Sequence, residues 1–114
     1  MTSILIAEDE SRIAAFIEKG LGKNGFDTAI AKDGEQALLM VQSNNFDLIL
    51  LDLGLPVKDG WTVLKELRSQ GKQIPIIIVS AFNPTHEIAE VNDYIVKPFC
   101  FQDLLERVKF HLQK

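Results

Sequence analysis

Short apolar runs alternate along this chain with segments whose apolar residues return every three or four positions. Ser3–Ala7, Asp27–Ala31, Asp47–Leu51, Ile76–Val79 and Tyr94–Val96 read as strands. Between and after them, Ile13, Phe16, Ile17 and Leu21 fall on one helical face, and Ala37, Met40 and Val41 on another. Trp61, Leu64 and Leu67 mark a third helix, opened by Asp59-Gly60, and Phe101, Leu104, Leu105, Val108 and Leu112 a last one. Asp33 is placed to cap the second helix, with Gln36 three residues on completing a capping box, and Gly25 fits the glycine that ends the first. Asn83-Pro84 can start a further helix, Asn as cap and Pro in the first turn. Only about two turns fit before the fifth strand, below the length at which a helix is stable alone.

Strands one, three and four are apolar almost without interruption, which indicates burial on both faces. Strands alternating with helices give a parallel sheet with right-handed crossovers and helices on both sides. The expected fold is α/β, a doubly wound, flavodoxin-like five-stranded sheet in the order 2-1-3-4-5. Polar strand two and short strand five then lie at the edges, and the fourth helix is short or frayed. A chain of 114 residues is expected to form one domain, residues 1–114.

In such a sheet ligands bind beyond the carboxyl ends of the strands, at the switch point between strands one and three. Four of the five strands stop there on chemically capable residues: Glu8-Asp9, Asp52, Ser80 and Lys97. Acids this close repel one another, which raises their pKa values or recruits a cation. An all-oxygen set without histidine or cysteine suits a hard divalent ion such as magnesium. Lys97 is a compact charge for a phosphoryl oxygen, and Ser80 can donate to another. Together they would neutralise a transferring phosphoryl group while a carboxylate attacks it in line. Singly, an acidic pair is an ordinary helix cap, Asp52 a turn residue, and Ser80 or Lys97 uninformative. The signal lies in their joint placement at successive strand ends.

Composition narrows the field. At 46% hydrophobic and 25% charged the chain is an ordinary globular sequence. A net charge of −4 gives no support to nucleic-acid contact by this segment. No apolar run is long enough to span a bilayer, and the start of the chain leads directly into a strand rather than a leader. One cysteine, Cys100, excludes an internal disulfide and fits a reducing cytoplasm. It falls at the cap of the last helix, where the expectation is a partly buried, inert thiol. Gly20-Leu21-Gly22-Lys23-Asn24-Gly25 spells a dinucleotide-binding string, but it ends a helix instead of opening one. His86 and His111 lack metal-ligand spacing and are expected at the surface, with Trp61, Met40 and Phe46 in the core or at its rim.

Ile4-Leu5-Ile6-Ala7-Glu8-Asp9-Glu10, Leu51-Asp52-Leu53-Gly54-Leu55-Pro56 with Asp59-Gly60, Ile78-Val79-Ser80-Ala81 and Asp93-Tyr94-Ile95-Val96-Lys97-Pro98-Phe99 form an ordered set. In these motifs, over essentially its whole length, the chain closely resembles the response-regulator receiver domain of two-component signalling, in the CheY-like superfamily. The resemblance implies a phosphoacceptor switch in which Asp52 takes phosphate from a sensor histidine kinase or phosphotransfer protein. It implies a metal set of Asp9, Asp52 and the Gly54 carbonyl, with Glu8 acting through water; magnesium is the expected ion and manganese a substitute. Ser80 and Lys97 would hold the phosphoryl oxygens, Tyr94 would turn inward as Ser80 moves, and the Lys97-Pro98 peptide would be cis. The Asp-Leu-Gly-Leu-Pro run and the Asp103…Arg107 spacing are similar to receivers joined to winged-helix DNA-binding domains. Phosphorylation could then drive homodimerisation, and the chain is either a stand-alone receiver or a fragment. Two departures stand out. Ser80 and Lys97 are closer in sequence than the family usual, which shortens the fourth-helix region and would alter the output face. Phe82 replaces a more polar residue and is expected to slow dephosphorylation by hindering water.

Two other readings compete. A magnesium-dependent aspartyl-phosphate phosphatase, similar to the haloacid dehalogenase family, would want an acid two positions after the nucleophile, where Gly54 stands. A receiver-shaped interaction module working without phosphate is the alternative kept open by the shortened region. On the leading reading the chain is no enzyme toward external substrates; its only chemistry is self-catalysed transfer and loss of phosphate at Asp52.

Overall fold

The computed structural model describes residues 2–81 and 91–113. Strands β1 (Ser3–Ala7), β2 (Asp27–Ala31), β3 (Leu48–Leu51), β4 (Ile76–Ser80) and β5 (Asp93–Val96) are joined with helices α1 (Ser11–Lys23), α2 (Gly34–Ser43), α3 (Gly60–Ser69) and α4 (Phe101–Leu112). All strand pairs are parallel, in the order β2-β1-β3-β4-β5. The sheet is therefore the doubly wound one that the sequence pattern predicts. The expected short fourth helix at Asn83-Pro84 lies outside the described residues, as do Phe82 and His86.

Alternation of side chains along each strand divides the apolar runs between two cores. Leu5, Ala7, Ile49, Leu51, Ile76 and Ile78 pack against α2 and α3. Ile4, Ile6, Leu48, Leu50, Ile77 and Val79 pack against α1 and α4 on the other side. That is why β1, β3 and β4 read as unbroken apolar runs while edge strand β2 does not. Asp33 caps α2 by accepting from the Gln36 amide at 2.7 Å. Gln36 Oε1 in turn accepts from the Lys32 amide, also at 2.7 Å, one residue earlier than a regular capping box. Asp59 caps α3 through the Thr62 amide at 2.8 Å, and Gly25 follows α1 at φ 87°. No helix among the described residues is long and apolar enough to cross a membrane.

Four side chains sit differently from expectation. Phe16 is 52% exposed, because it lies one residue, and so about 100°, around the helix from buried Ile17. Its ring meets Phe99 and Phe101, and with Phe99 it lines an open groove of about 490 Å³ beside Lys97. Trp61 is exposed for a similar reason: steps of three drift off a 3.6-residue face, and α3 buries Val63, Leu64 and Leu67 instead. Cys100 does occupy the cap position of α4, but it is exposed and makes no capping bond. His111 is buried, three residues beyond Val108 on the inward stripe, and its Nε2 lies 2.9 Å from Asp93 Oδ2.

Candidate functional site

Three of the site residues begin where the sheet's hydrogen-bond ladder ends. The Glu8 amide donates to the carbonyl of Ala31, last in β2, at 3.0 Å. The Asp52 amide donates to Ala7, last in β1, at 3.0 Å, and the Lys97 amide to Ser80, last in β4, at 2.7 Å. Each backbone is thus fixed on the final rung of a neighbouring strand, and its side chain projects beyond the sheet. The apolar strands are rigid because both faces are buried; the residue after each is the first one free to be polar.

The side chains converge. Lys97 Nζ is 2.7 Å from Glu8 Oε1 and 3.6 Å from Asp52 Oδ2. Glu8 is 3% exposed, Asp52 8% and Ser80 1%, so these charges interact in a partly desolvated setting. Burial pushes the Glu8 carboxyl above its ordinary 4.5; the Asp52 charge adds to that, while the Lys97 ammonium and the Glu10 amide oppose it. Burial alone would lower the Lys97 value, but hydrogen bonding to Glu8 and the charges of Glu8 and Asp52 outweigh it, and the ammonium is held above 10.5. Lys97-Pro98 is a cis peptide bond.

Carboxylate oxygens of Glu8, Asp9 and Asp52 all come within 4.8 Å of one another. Among the described residues, three carboxylates against one contacting ammonium leave a local excess of negative charge, on donors that are all oxygen. That set fits a hard divalent cation. Asp9 is exposed while its two partners are buried, so the cluster opens to solvent on one side. Gly54 lies two residues beyond Asp52, and its amide donates to Asp52 Oδ1 at 3.2 Å.

Register brings the remaining candidates close. Ser80 pairs with Val96 and Ile78 with Tyr94, so Ser80 and Tyr94 project from the same face of adjacent strands, two residues out of step. Tyr94 is half-buried against the α2 and α3 core. Its carbonyl accepts from Arg107 at 2.9 Å, and Arg107 also reaches Asp93 at 2.7 Å and Asp103 at 3.2 Å. The Glu8–Lys97 ion pair was not anticipated from sequence. Its signal is the common side on which β1, β3, β4 and β5 end, which lets a long lysine at the end of β5 reach back to the first of two acids.

The chain matches the model of the response regulator receiver domain over residues 4–109. It is 41% identical to the response regulator ArlR of Staphylococcus saprophyticus, with 100% of this chain covering 54% of that protein. It is 35% identical to the transcriptional regulatory protein CusR of Escherichia coli, with 97% of the chain covering 51%. The chain spans about half the length of these curated relatives. Among solved structures, the Francisella response regulator 1452 receiver domain superposes with a TM-score of 0.94 at 36% identity, covering 99% of this chain and 98% of that one. TrrA of Thermotoga maritima, in complex with Mg(2+)-BeF, gives 0.89 at 32% identity and coverages of 97% and 99%. TrrA in complex with the histidine kinase ThkA gives 0.87 at 33%, with coverages of 98% and 99%. The chain belongs to the receiver domains of two-component response regulators.

Proposed function

We propose that this receiver is a phosphoacceptor switch in which Asp52 takes a phosphoryl group from a phosphohistidine on a sensor kinase or phosphotransfer protein. The observation that carries the reading is Lys97 Nζ, 2.7 Å from Glu8 and 3.6 Å from Asp52. A lysine held there can exchange Glu8 for a phosphoryl oxygen without leaving Asp52. A carboxylate oxygen of Asp52 attacks phosphorus; the phosphorus–nitrogen bond of the donor breaks, and the imidazole leaves with its electron pair. Lys97 and the Ser80 hydroxyl then hold phosphoryl oxygens, and Tyr94 follows Ser80 inward, so the β4–β5 surface reports the change to a partner. Asp9, Asp52 and the Gly54 carbonyl would hold magnesium, or manganese in its place, with Glu8 acting through water. When bound, the ion supplies positive charge opposite the transferring group.

Catalysis on this reading is limited to Asp52 itself: one phosphoryl group gained, then lost to water. TrrA's complexes with Mg(2+)-BeF and with a kinase support the ion and the partner by analogy. A cytoplasmic setting, possession of a DNA-binding effector in the full-length protein and dimerisation on phosphorylation are part of the same proposal, and residues 1–114 act as one receiver unit. Incubation with magnesium and a small phosphodonor, followed by intact mass measurement, tests it. One phosphate adduct is expected, absent in Asp52→Ala. Repeated turnover of external monoesters would instead indicate a phosphatase, and no adduct under any condition a phosphate-independent module.

A further inference from the structure

The segment from Asp52 to Gly60 leads the phosphoacceptor's backbone away from the sheet into α3, and its path is set by residues outside the acid cluster. The Lys58 amide donates to the Pro56 carbonyl at 2.8 Å across Val57, whose φ is 69°. A bond from residue i+2 back to residue i around a positive φ makes the rarer, strained form of γ-turn. For a β-branched residue that conformation is an outlier. The Val57 side chain is 79% exposed, so no burial of its own holds it there. Such a conformation persists only where its surroundings over-determine it.

Those surroundings are visible. The Gly34 amide, first in α2, donates to the same Pro56 carbonyl at 3.2 Å. A Cβ on Gly34 would overlap the Lys58 carbonyl oxygen and come within 2.7 Å of Lys58 Cβ, so only glycine admits the loop at this depth. Lys58 Nζ reaches Glu66 of α3 at 3.0 Å and Glu35 of α2 at 3.6 Å. At the other end the Gly60 amide donates to the Leu53 carbonyl at 3.0 Å, and a Cβ on Gly60 would overlap the Asp52 carbonyl oxygen. Gly54, bonded to Asp52 Oδ1, lies between these two anchorages.

We propose that Gly34, Val57 and Lys58 form a clamp that positions Gly54 and the Asp52 carboxylate for the divalent ion. This rests on the phosphoacceptor reading and assigns ion affinity partly to α2, which contributes no ligand. The three are positioning residues: they touch neither ion nor phosphate, and act through the short stretch that joins the two anchorages. A turn held in a strained conformation has little freedom to drift, and Gly54 inherits that restriction.

Magnesium titration calorimetry on the full chain, with circular dichroism to establish folding, tests the clamp. Val57→Gly retains access to positive φ and is expected to bind magnesium as the wild type does. Val57→Pro fixes φ near −65° and removes no buried packing; it is expected to weaken magnesium binding by about tenfold, the scale of outer-shell effects at metal sites. Gly34→Ala should do the same. In both, phosphorylation by a small phosphodonor should recover its wild-type rate at saturating magnesium, with only the magnesium requirement displaced. Should Gly34→Ala fail to fold, Val57→Pro decides alone. Wild-type magnesium affinity in folded Val57→Pro would overturn the clamp while leaving the parent reading intact. Failure of the wild type to bind magnesium would overturn both.

Discussion

The two ends of this sheet each hold a charged cluster, and they are compensated in opposite ways. At the amino end of β5, Asp93 is surrounded by donors: Arg107 at 2.7 Å, His111 at 2.9 Å and the Tyr94 amide at 2.8 Å. Burial alone would lift its pKa, but these donors outweigh it, and the carboxyl is held below its ordinary 3.8. At the carboxyl end Glu8 and Asp52 share one ammonium, with the Asp9 carboxylate beside them, and Glu8 is held above its ordinary value. One cluster is complete within the chain and ties β5 to α4. The other is short of positive charge by construction, which fits the divalent cation that an all-oxygen carboxylate cluster can hold. Counting charges therefore separates structure from function here better than counting salt bridges does.

The largest effect should come from Lys97→Met. It leaves Glu8 and Asp52 without their shared cation, and in chelator the unfolding free energy should fall by about 3 kcal/mol, as when one partner of a buried pair is removed. Arg107→Met should cost less, since Asp93 keeps His111 and the Tyr94 amide. Equal losses in denaturant unfolding would erase the contrast between the ends. Magnesium sharpens it from the other side. At about a hundred times its dissociation constant it should add about 2.7 kcal/mol to stability. Denaturant melts should show that gain survive Asp93→Asn and disappear in Asp52→Asn.

The smallest effect is in pH dependence, where the two ends should have opposite slopes. Glu8 has a raised folded pKa, so between 4.5 and that higher value the folded chain binds more protons than the unfolded one. Its contribution is fully present below 4.5 and is lost as pH rises through the folded pKa. Asp93 has a depressed folded pKa, so its contribution is fully present above 3.8 and is lost as pH falls through the lower folded value. Each slope is bounded by about 1.4 kcal/mol per pH unit. In chelator, Glu8→Gln should remove the first and Asp93→Asn the second; the same sign in both difference curves would contradict the assignment.

Much of this was legible in the chain itself. Burial on both faces of Ile4–Ala7, Leu48–Leu51 and Ile76–Val79 forced a central position for those strands, and polar Asp27–Ala31 an edge. With the order settled, the strand-ending Glu8, Asp9, Asp52, Ser80 and Lys97 had to gather at one end. Side-chain direction was less legible. Phe16 and Trp61 carry apolar rings on helices whose inward faces run through Ala14–Ile17–Leu21 and Val63–Leu67, and a ring beside such a face can close a groove as well as fill a core. His111 runs against its type: a histidine suggests a surface, while its spacing from Leu104 and Val108 points inward, and its position outweighs its polarity once Asp93 is there to receive Nε2. The strained turn at Val57 left no trace, since valine gives no warning of positive φ.

The amides of Glu8, Asp52 and Lys97 rest on carbonyls of Ala31, Ala7 and Ser80, and a carbonyl is the same whichever residue carries it. What seats the chemistry is main chain, fixed by where three strands stop. Its tenants can be exchanged by point mutation, so long as none is a proline, without rebuilding the seat.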